Sequence, residues 1–169
     1  MYRNYYFWLC FLLMSILKEA KGKLFKKFYK EYEIMDFVTW NDKFSVKISS
    51  IDEQHKKLVA VINELYNAMK SGKTKEQMGK ILGDLVDYTK YHFSYEEKLM
   101  EKAGYKDIEE HKKQHVAFVK KISDTYNDYK NGKLIMSIDI CNFLQDWLIH
   151  HIQGTDQKYS QLMVENGIK

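Results

Sequence analysis

The amino-acid sequence predicts an all-α fold: an antiparallel up-down-up-down four-helix bundle with an N-terminal lead-in and a short C-terminal helix. Three observations point there. The 169 residues include no proline and only eight glycines, so little interrupts long helices. Apolar residues recur at intervals of three and four along several stretches, the period of a helix with one buried face. Turn-like segments at Ser71-Gly72, Gly104 and Asn131-Gly132 separate those stretches, and connections this short favour antiparallel neighbours. With 45% hydrophobic and 15% aromatic residues, the chain can bury a real core.

The formal charge of +4 is unevenly placed. Residues 1–34 hold seven Lys/Arg and three acids, which leaves 20 basic and 20 acidic residues in 35–169. That neutral balance argues against nucleic acid as a partner. The sequence therefore divides into a basic, apolar extension, 1–34, and a folded domain, 35–169. Residues 5–17 (YYFWLCFLLMSIL) are an apolar run of 13, shorter than the ~20 residues of a membrane-spanning helix. The run fits three readings: a signal-like segment without a clear cleavage site, a membrane-associating helix, or translation from a start upstream of Met35. Membrane contact is expected only if residues 1–34 are native and retained. Cys10 and Cys141 form no motif, and a reducing cytoplasm suits them.

In chain order, residues 36–50 read as an irregular or extended lead-in. Trp40, Phe44 and Val46 alternate along it and could lie on the outside of the bundle. The first helix is expected to begin near Ser50–Asp52, where Ser and Asp are good N-caps. Its apolar stripe is Ile51, Leu58, Val59, Ile62, Leu65 and Met69, with His55 inside it. The second helix, from about Thr74 to Lys102, presents Ile81, Leu85, Tyr88, His92, Glu96 and Leu99. The third, about Asp107 to Asn131, presents His111, His115, Phe118, Ile122, Tyr126 and Tyr129. The fourth starts near Ser137 and carries Ile140, Leu144, Trp147 and His151, with Phe143 and Leu148 beside them. Gly154 is expected to loosen its end before Asp156, after which a terminal helical segment follows.

Five of the six histidines fall on these inward faces: His55, His92, His111, His115 and His151. Glu96 lies on the same face and Asp156 can reach it. His92 and Glu96 are four residues apart, as are His111 and His115, so each pair stacks on one helix face. Burying a polar group without a partner costs a few kcal/mol, roughly, and a carboxylate more. Set against a total stability of about 5–15 kcal/mol, seven unpaired groups would unfold the domain. A positive charge must compensate them. A single zinc takes about four ligands and would leave three groups idle, whereas seven suit two ions. Imidazole and carboxylate ligation without thiolate suits iron or manganese, and five imidazoles favour iron. Glu97 and His150 adjoin members of the set but are turned about 100° away, and read as surface groups. No spare buried acid stands ready as a proton donor, which leaves Tyr88 and Tyr126 as candidates.

The segments W-N-D-K-F-S-V (40–46), I-D-E-Q-H-K-K-L (51–58), Y-H-F-S-Y-E-E-K-L-M (91–100), H-K-K-Q-H (111–115) and W-L-I-H-H-I-Q-G-T-D (147–156) resemble the hemerythrin family, in its bacterial single-domain form. The resemblance covers about residues 36–164. It implies reversible O₂ binding at a non-haem di-iron centre, for transport, storage or delivery. By position, His111, His115 and His151 would hold one iron and His55 and His92 the other. Glu96, Asp156 and an oxo or hydroxo group would bridge them. The second iron, one protein ligand short, would offer O₂ an open position. Phe93, Trp147 and Leu148 would wall the pocket, although ordinary bundle packing accounts for them equally. Lys47 stands where bacterial members often have glycine, which implies an altered lead-in loop.

The resemblance makes the protein a carrier rather than an enzyme, with O₂ as its ligand, an unidentified redox or O₂-accepting partner, and a monomeric state. The same ligand set would also serve a di-iron oxidase or peroxidase, nitric-oxide chemistry, or an O₂ or iron sensor. A sensor usually needs an output domain, and residues 36–169 leave no room for one.

Overall fold

The computed structural model describes residues 36–169. A lead-in with a short 3-10 turn at Asp42–Phe44 is followed by α1 (Ser49–Lys70), α2 (Lys75–Ala103), α3 (Ile108–Lys130) and α4 (Ile138–His150). A π-helical stretch, His151–Asp156, then joins α4 to α5 (Gln157–Glu165). Helix α1 packs on α2 and α4, and α2 packs on α3, which is the expected four-helix bundle. Among the described residues, no helix is long and apolar enough to cross a membrane. The apolar run at residues 5–17 and Cys10 lie outside the described residues.

The connections follow local chemistry. Thr74 caps α2 through a reciprocal pair, its hydroxyl accepting from the Gln77 N–H while the Gln77 side chain accepts from the Thr74 N–H. Gly104 ends the same helix in the left-handed region at φ 69°. A side chain there would be strained, so this glycine sets the tight turn into α3.

The expected capping of α1 by Ser50 or Asp52 is not what forms. The helix starts at Ser49, and its N-cap residue Ile48 makes no side-chain bond. Asp52 instead accepts from the Val46 N–H at 2.8 Å and the Ser45 hydroxyl at 2.6 Å. Its carboxylate is spent on the loop that folds back over the helix start.

The lead-in is not an outer strap either. Val38, Phe44, Val46 and Ile48 are buried in the core, and only Trp40 of the alternating set remains half-buried. The Asn63 side chain on α1 bonds both the N–H and the carbonyl of Val38, at 2.8 and 2.9 Å. Without these bonds, backbone polar groups would be buried unpaired. Lys47 occupies the left-handed region at φ 62°. The position expected to differ from glycine thus adopts the conformation that glycine takes most readily.

On α2, Leu85, His92 and Glu96 are buried as expected, whereas Ile81, Tyr88 and Leu99 lie at the edge of the interface. Leu82, Val86, Thr89, Phe93 and Met100 are buried beside them. Flanked by both α1 and α3, α2 needs a buried face wider than one heptad stripe.

Gly154 does not loosen the fourth helix, because the chain stays helical through Asp156. In an α-helix, residues five apart point about 140° away from each other. The wider π turn, which closes i to i+5, lets both His151 and Asp156 face inward. A hydrogen bond from the Thr155 hydroxyl to Gln114 of α3, at 3.0 Å, ties this stretch across the bundle.

Candidate metal centre

Three helices of the bundle and the π stretch that follows the fourth contribute to one buried polar cluster. Helix α1 supplies His55, α2 supplies His92 and Glu96, and α3 supplies His111 and His115. The π stretch supplies His151 and Asp156. All seven are at most 4% exposed.

His115 Nε2 lies 3.0 Å from the Nε2 atoms of both His111 and His151, and 3.2 Å from Glu96 Oε2. Asp156 Oδ1 lies 3.1 Å from His151 Nε2 and 3.4 Å from His111 Nε2, while its Oδ2 lies 3.5 Å from His55 Nε2. Ligand atoms of Glu96, His111, His115 and His151 all fall within 4.8 Å of one another, and so do those of His55, His92 and Glu96. Two overlapping clusters thus share Glu96, and the two oxygens of Asp156 turn toward different histidines.

The fit to cations can be tested on hydrogen bonding alone. Both ring nitrogens of His55, Nδ1 of His111 and His151, Glu96 Oε2 and both Asp156 oxygens are buried without a hydrogen-bond partner. Leaving such groups unpaired costs roughly 1–3 kcal/mol each, more for charged ones, and so many in one place call for ions. The 3.0 Å between neighbouring Nε2 atoms is also the separation of two ligands about 2.1 Å from a common ion and at right angles.

Electrostatics divide the set. Burial and mutual repulsion hold His55 down to about 3, and burial holds His92 down to about 4. Burial holds His151 well below its usual value. Burial also opposes charge on His115, but Glu96 and Glu97 outweigh it and raise its pKa. Burial would raise Glu96, yet the facing His111 and His115 rings bring it well below the usual carboxylate range. Asp156 moves well upward through burial and the neighbouring Glu96 charge. Without a metal, the shifts favour charge on His115 beside Glu96 and a proton on Asp156.

Three groups around the cluster escaped the sequence reading. Glu97 is not a solvated charge: its Oε1 accepts from His115 Nδ1 at 2.8 Å, and its side chain is 25% exposed. On α1, the buried Gln54 accepts from His92 Nδ1 at 3.1 Å. The Tyr159 hydroxyl on α5 donates to Glu96 Oε1. Its only sequence signal is a place one helical turn beyond Asp156. Tyr88, by contrast, has a hydroxyl without a partner, and burial pushes it up to about 12. The Tyr126 ring lies against Gly83.

Of the residues expected to wall the pocket, two lie against rings of the three-histidine side. Phe93 stacks on His115, with ring centres 3.6 Å apart, and Trp147 stacks on His151 at 4.2 Å. Leu148 is buried in the core of α4. His150 is exposed, and its Nδ1 donates to the Asp146 carbonyl on its own helix.

The family description "Hemerythrin HHE cation binding domain" matches residues 46–163. The chain belongs to the hemerythrin family. It is similar to the bacteriohemerythrin of Stenotrophomonas maltophilia (strain R551-3), 35% identical over 126 residues that cover 75% of this chain and 81% of that one. The bacteriohemerythrin of Pseudomonas aeruginosa (strain LESB58) is 36% identical over 125 residues, with 74% and 80% covered. A solved wild-type hemerythrin superposes with a TM-score of 0.72 at 31% identity, covering 75% of this chain and 98% of that one. The two buried clusters could hold the cations that the family description names.

Proposed function

We propose that the protein binds O₂ reversibly at a non-haem di-iron centre. One observation carries the reading: six buried ligand groups form two overlapping clusters that share Glu96, and a seventh, Asp156, turns one oxygen toward each. His111, His115 and His151 would hold one iron, His55 and His92 the other, with Glu96 and Asp156 spanning the pair. When bound, a ferrous pair supplies the electrons and the free coordination position that O₂ needs.

The rest of the chemistry belongs to the chain. Two histidines on one side against three on the other leave the position beside His55 and His92 short of a protein group. Phe93 and Trp147 seal the three-histidine side with aromatic faces. Leu148, buried in the α4 core, adds apolar surface that excludes water. Exclusion of water and protons favours a reversible ligand over an oxidation that runs on.

The alternative is a di-iron oxidase or peroxidase, or an enzyme of nitric oxide. It draws its support from Tyr159, a buried phenol whose proton is aimed at Glu96 Oε1. Burial and the neighbouring carboxylates raise that phenol well above its usual value, so it keeps the proton and acts as a hydrogen-bond donor. That favours binding over turnover.

The deciding experiment loads the protein anaerobically with ferrous iron, admits O₂ and then removes it while the visible spectrum is followed. A band that appears with O₂ and disappears on its removal supports the carrier. Irreversible oxidation, or turnover with an added reductant, rejects it.

A further inference from the structure

The two halves of the site differ in what holds their histidines from outside. His115, on the three-histidine side, donates its Nδ1–H to the carboxylate of Glu97 at 2.8 Å. His92, on the two-histidine side, donates its Nδ1–H to the amide oxygen of Gln54 at 3.1 Å. Among the described hydrogen bonds, no other histidine of the set has an outer partner at Nδ1. A carboxylate behind an imidazole makes the inward nitrogen more basic, and an amide orients the ring without adding charge. We propose that Glu97 is a positioning residue that makes the three-histidine half the tighter metal site, so that the two halves fill in a set order.

The geometry supports charge as the active feature. Glu97 sits on α2 one residue beyond Glu96, so one helix turn brings a carboxylate to each side of the His115 ring: Glu96 Oε2 at Nε2 and Glu97 Oε1 at Nδ1. Phe93 stacks on the face of the same ring with the planes within 3°, so the ring is fixed before any ion arrives. Gln54, the counterpart of Glu97 on the two-histidine half, carries no charge. Its place next to His55 leaves the half with the free position electrostatically neutral on its outer side. The half that must release and regain a ligand is thereby the weaker metal holder.

The proposal rests on the two-ion reading, and the test separates the two. Anaerobic ferrous titration, with a competing chelator to resolve the affinities, is carried out on the wild type, Glu97→Gln, Glu97→Ala and Gln54→Glu. The wild type is expected to take two irons in two unequal steps. Loss of an outer partner typically costs about 10–100-fold in metal affinity. Glu97→Gln keeps an acceptor but loses the charge. It should weaken the tighter step by about that factor, with the weaker step changed far less. Glu97→Ala should go little further, and Gln54→Glu should strengthen the weaker step. A second readout, the midpoint potential of the iron pair, should rise in Glu97→Gln, because a lost negative charge disfavours the oxidised state. Wild-type loading of fewer than two irons overturns the di-iron reading and this proposal together. Two irons in the wild type, with both steps and the potential unchanged in Glu97→Gln, overturn this proposal alone. So does a loss confined to Glu97→Ala, which would assign the effect to hydrogen bonding without charge.

Discussion

Removing the metal should leave a domain unusually sensitive to mild acid. Three rings are neutral in the fold: His55 held to about 3, His92 to about 4 and His151 well below its usual value. Once the chain unfolds, each returns to about 6.5 and takes up a proton below that pH. The upward shift of Asp156 works the other way, and at most offsets one of those protons. His115 does not add to the slope, because its raised pKa keeps it charged in both states below neutrality. The unfolded state therefore binds at least a net two protons more, and each contributes about 1.4 kcal/mol per pH unit. Stability should fall by about 3 kcal/mol per unit as pH drops from 6 to 4.5, a large share of a typical 5–15 kcal/mol. Below about 4.5, the depressed Glu96 adds to the loss. The assay is urea unfolding of chelator-treated protein at half-unit pH steps, followed by far-UV circular dichroism. A stability that stays level within about 1 kcal/mol from pH 6.5 to 4.5 would refute the reasoning. At neutral pH, iron-loaded protein should be the more stable, because bound metal acts only on the folded state.

Three substitutions test other parts of the account. Tyr159→Phe removes the hydroxyl that donates to Glu96 while keeping the ring. It should cost the metal-free protein about 1.5–3 kcal/mol, the worth of a hydrogen bond to a charged group; an unchanged urea midpoint would count against that bond. Lys47→Gly relieves a side chain at φ 62°. The strain of about 1–2 kcal/mol, offset by the extra freedom of glycine when unfolded, leaves a net gain of about 0.5–1 kcal/mol; a lower urea midpoint would refute it. Leu148→Ala should leave two irons in place and speed irreversible oxidation of the oxygenated protein. The cavity costs about 2–5 kcal/mol, and an unchanged oxidation rate would reduce Leu148 to core packing.

The bundle was legible because each helix carries one inward stripe, and histidines in leucine positions announce themselves against that period. His55, His92, Glu96, His111 and His115 could be placed inward from spacing alone, and the structure brings them together. The π stretch was not legible in the same way. Helical period puts His151 and Asp156 on different faces, and Gly154 between them reads as a break. The wider turn buries both residues around one cluster. The lead-in failed for a related reason. Alternation shows which residues share a side, but not whether that side faces water. The side was decided by Asn63 and Asp52, polar α1 residues that hold the lead-in backbone.

Glu97 and Gln54 show what one-dimensional period misses at a site built between helices. Each is adjacent to a member of the cluster on its own helix, Glu97 to Glu96 and Gln54 to His55, and one residue of rotation is about 100°. Seen from one helix, that rotation points to solvent. Seen from the bundle, it points to the next helix: Gln54 on α1 reaches His92 on α2, and Glu97 on α2 reaches His115 on α3. On α1 and α2 the inner group and the outer partner are therefore supplied by adjacent residues, one to the cluster and one to the next helix's histidine. The pairing also explains why the two outer partners can differ in charge without disturbing the inner seven. Gln54 and Glu97 lie outside the crowded centre, where a change from amide to carboxylate alters the field at one histidine and leaves the packing of the others in place.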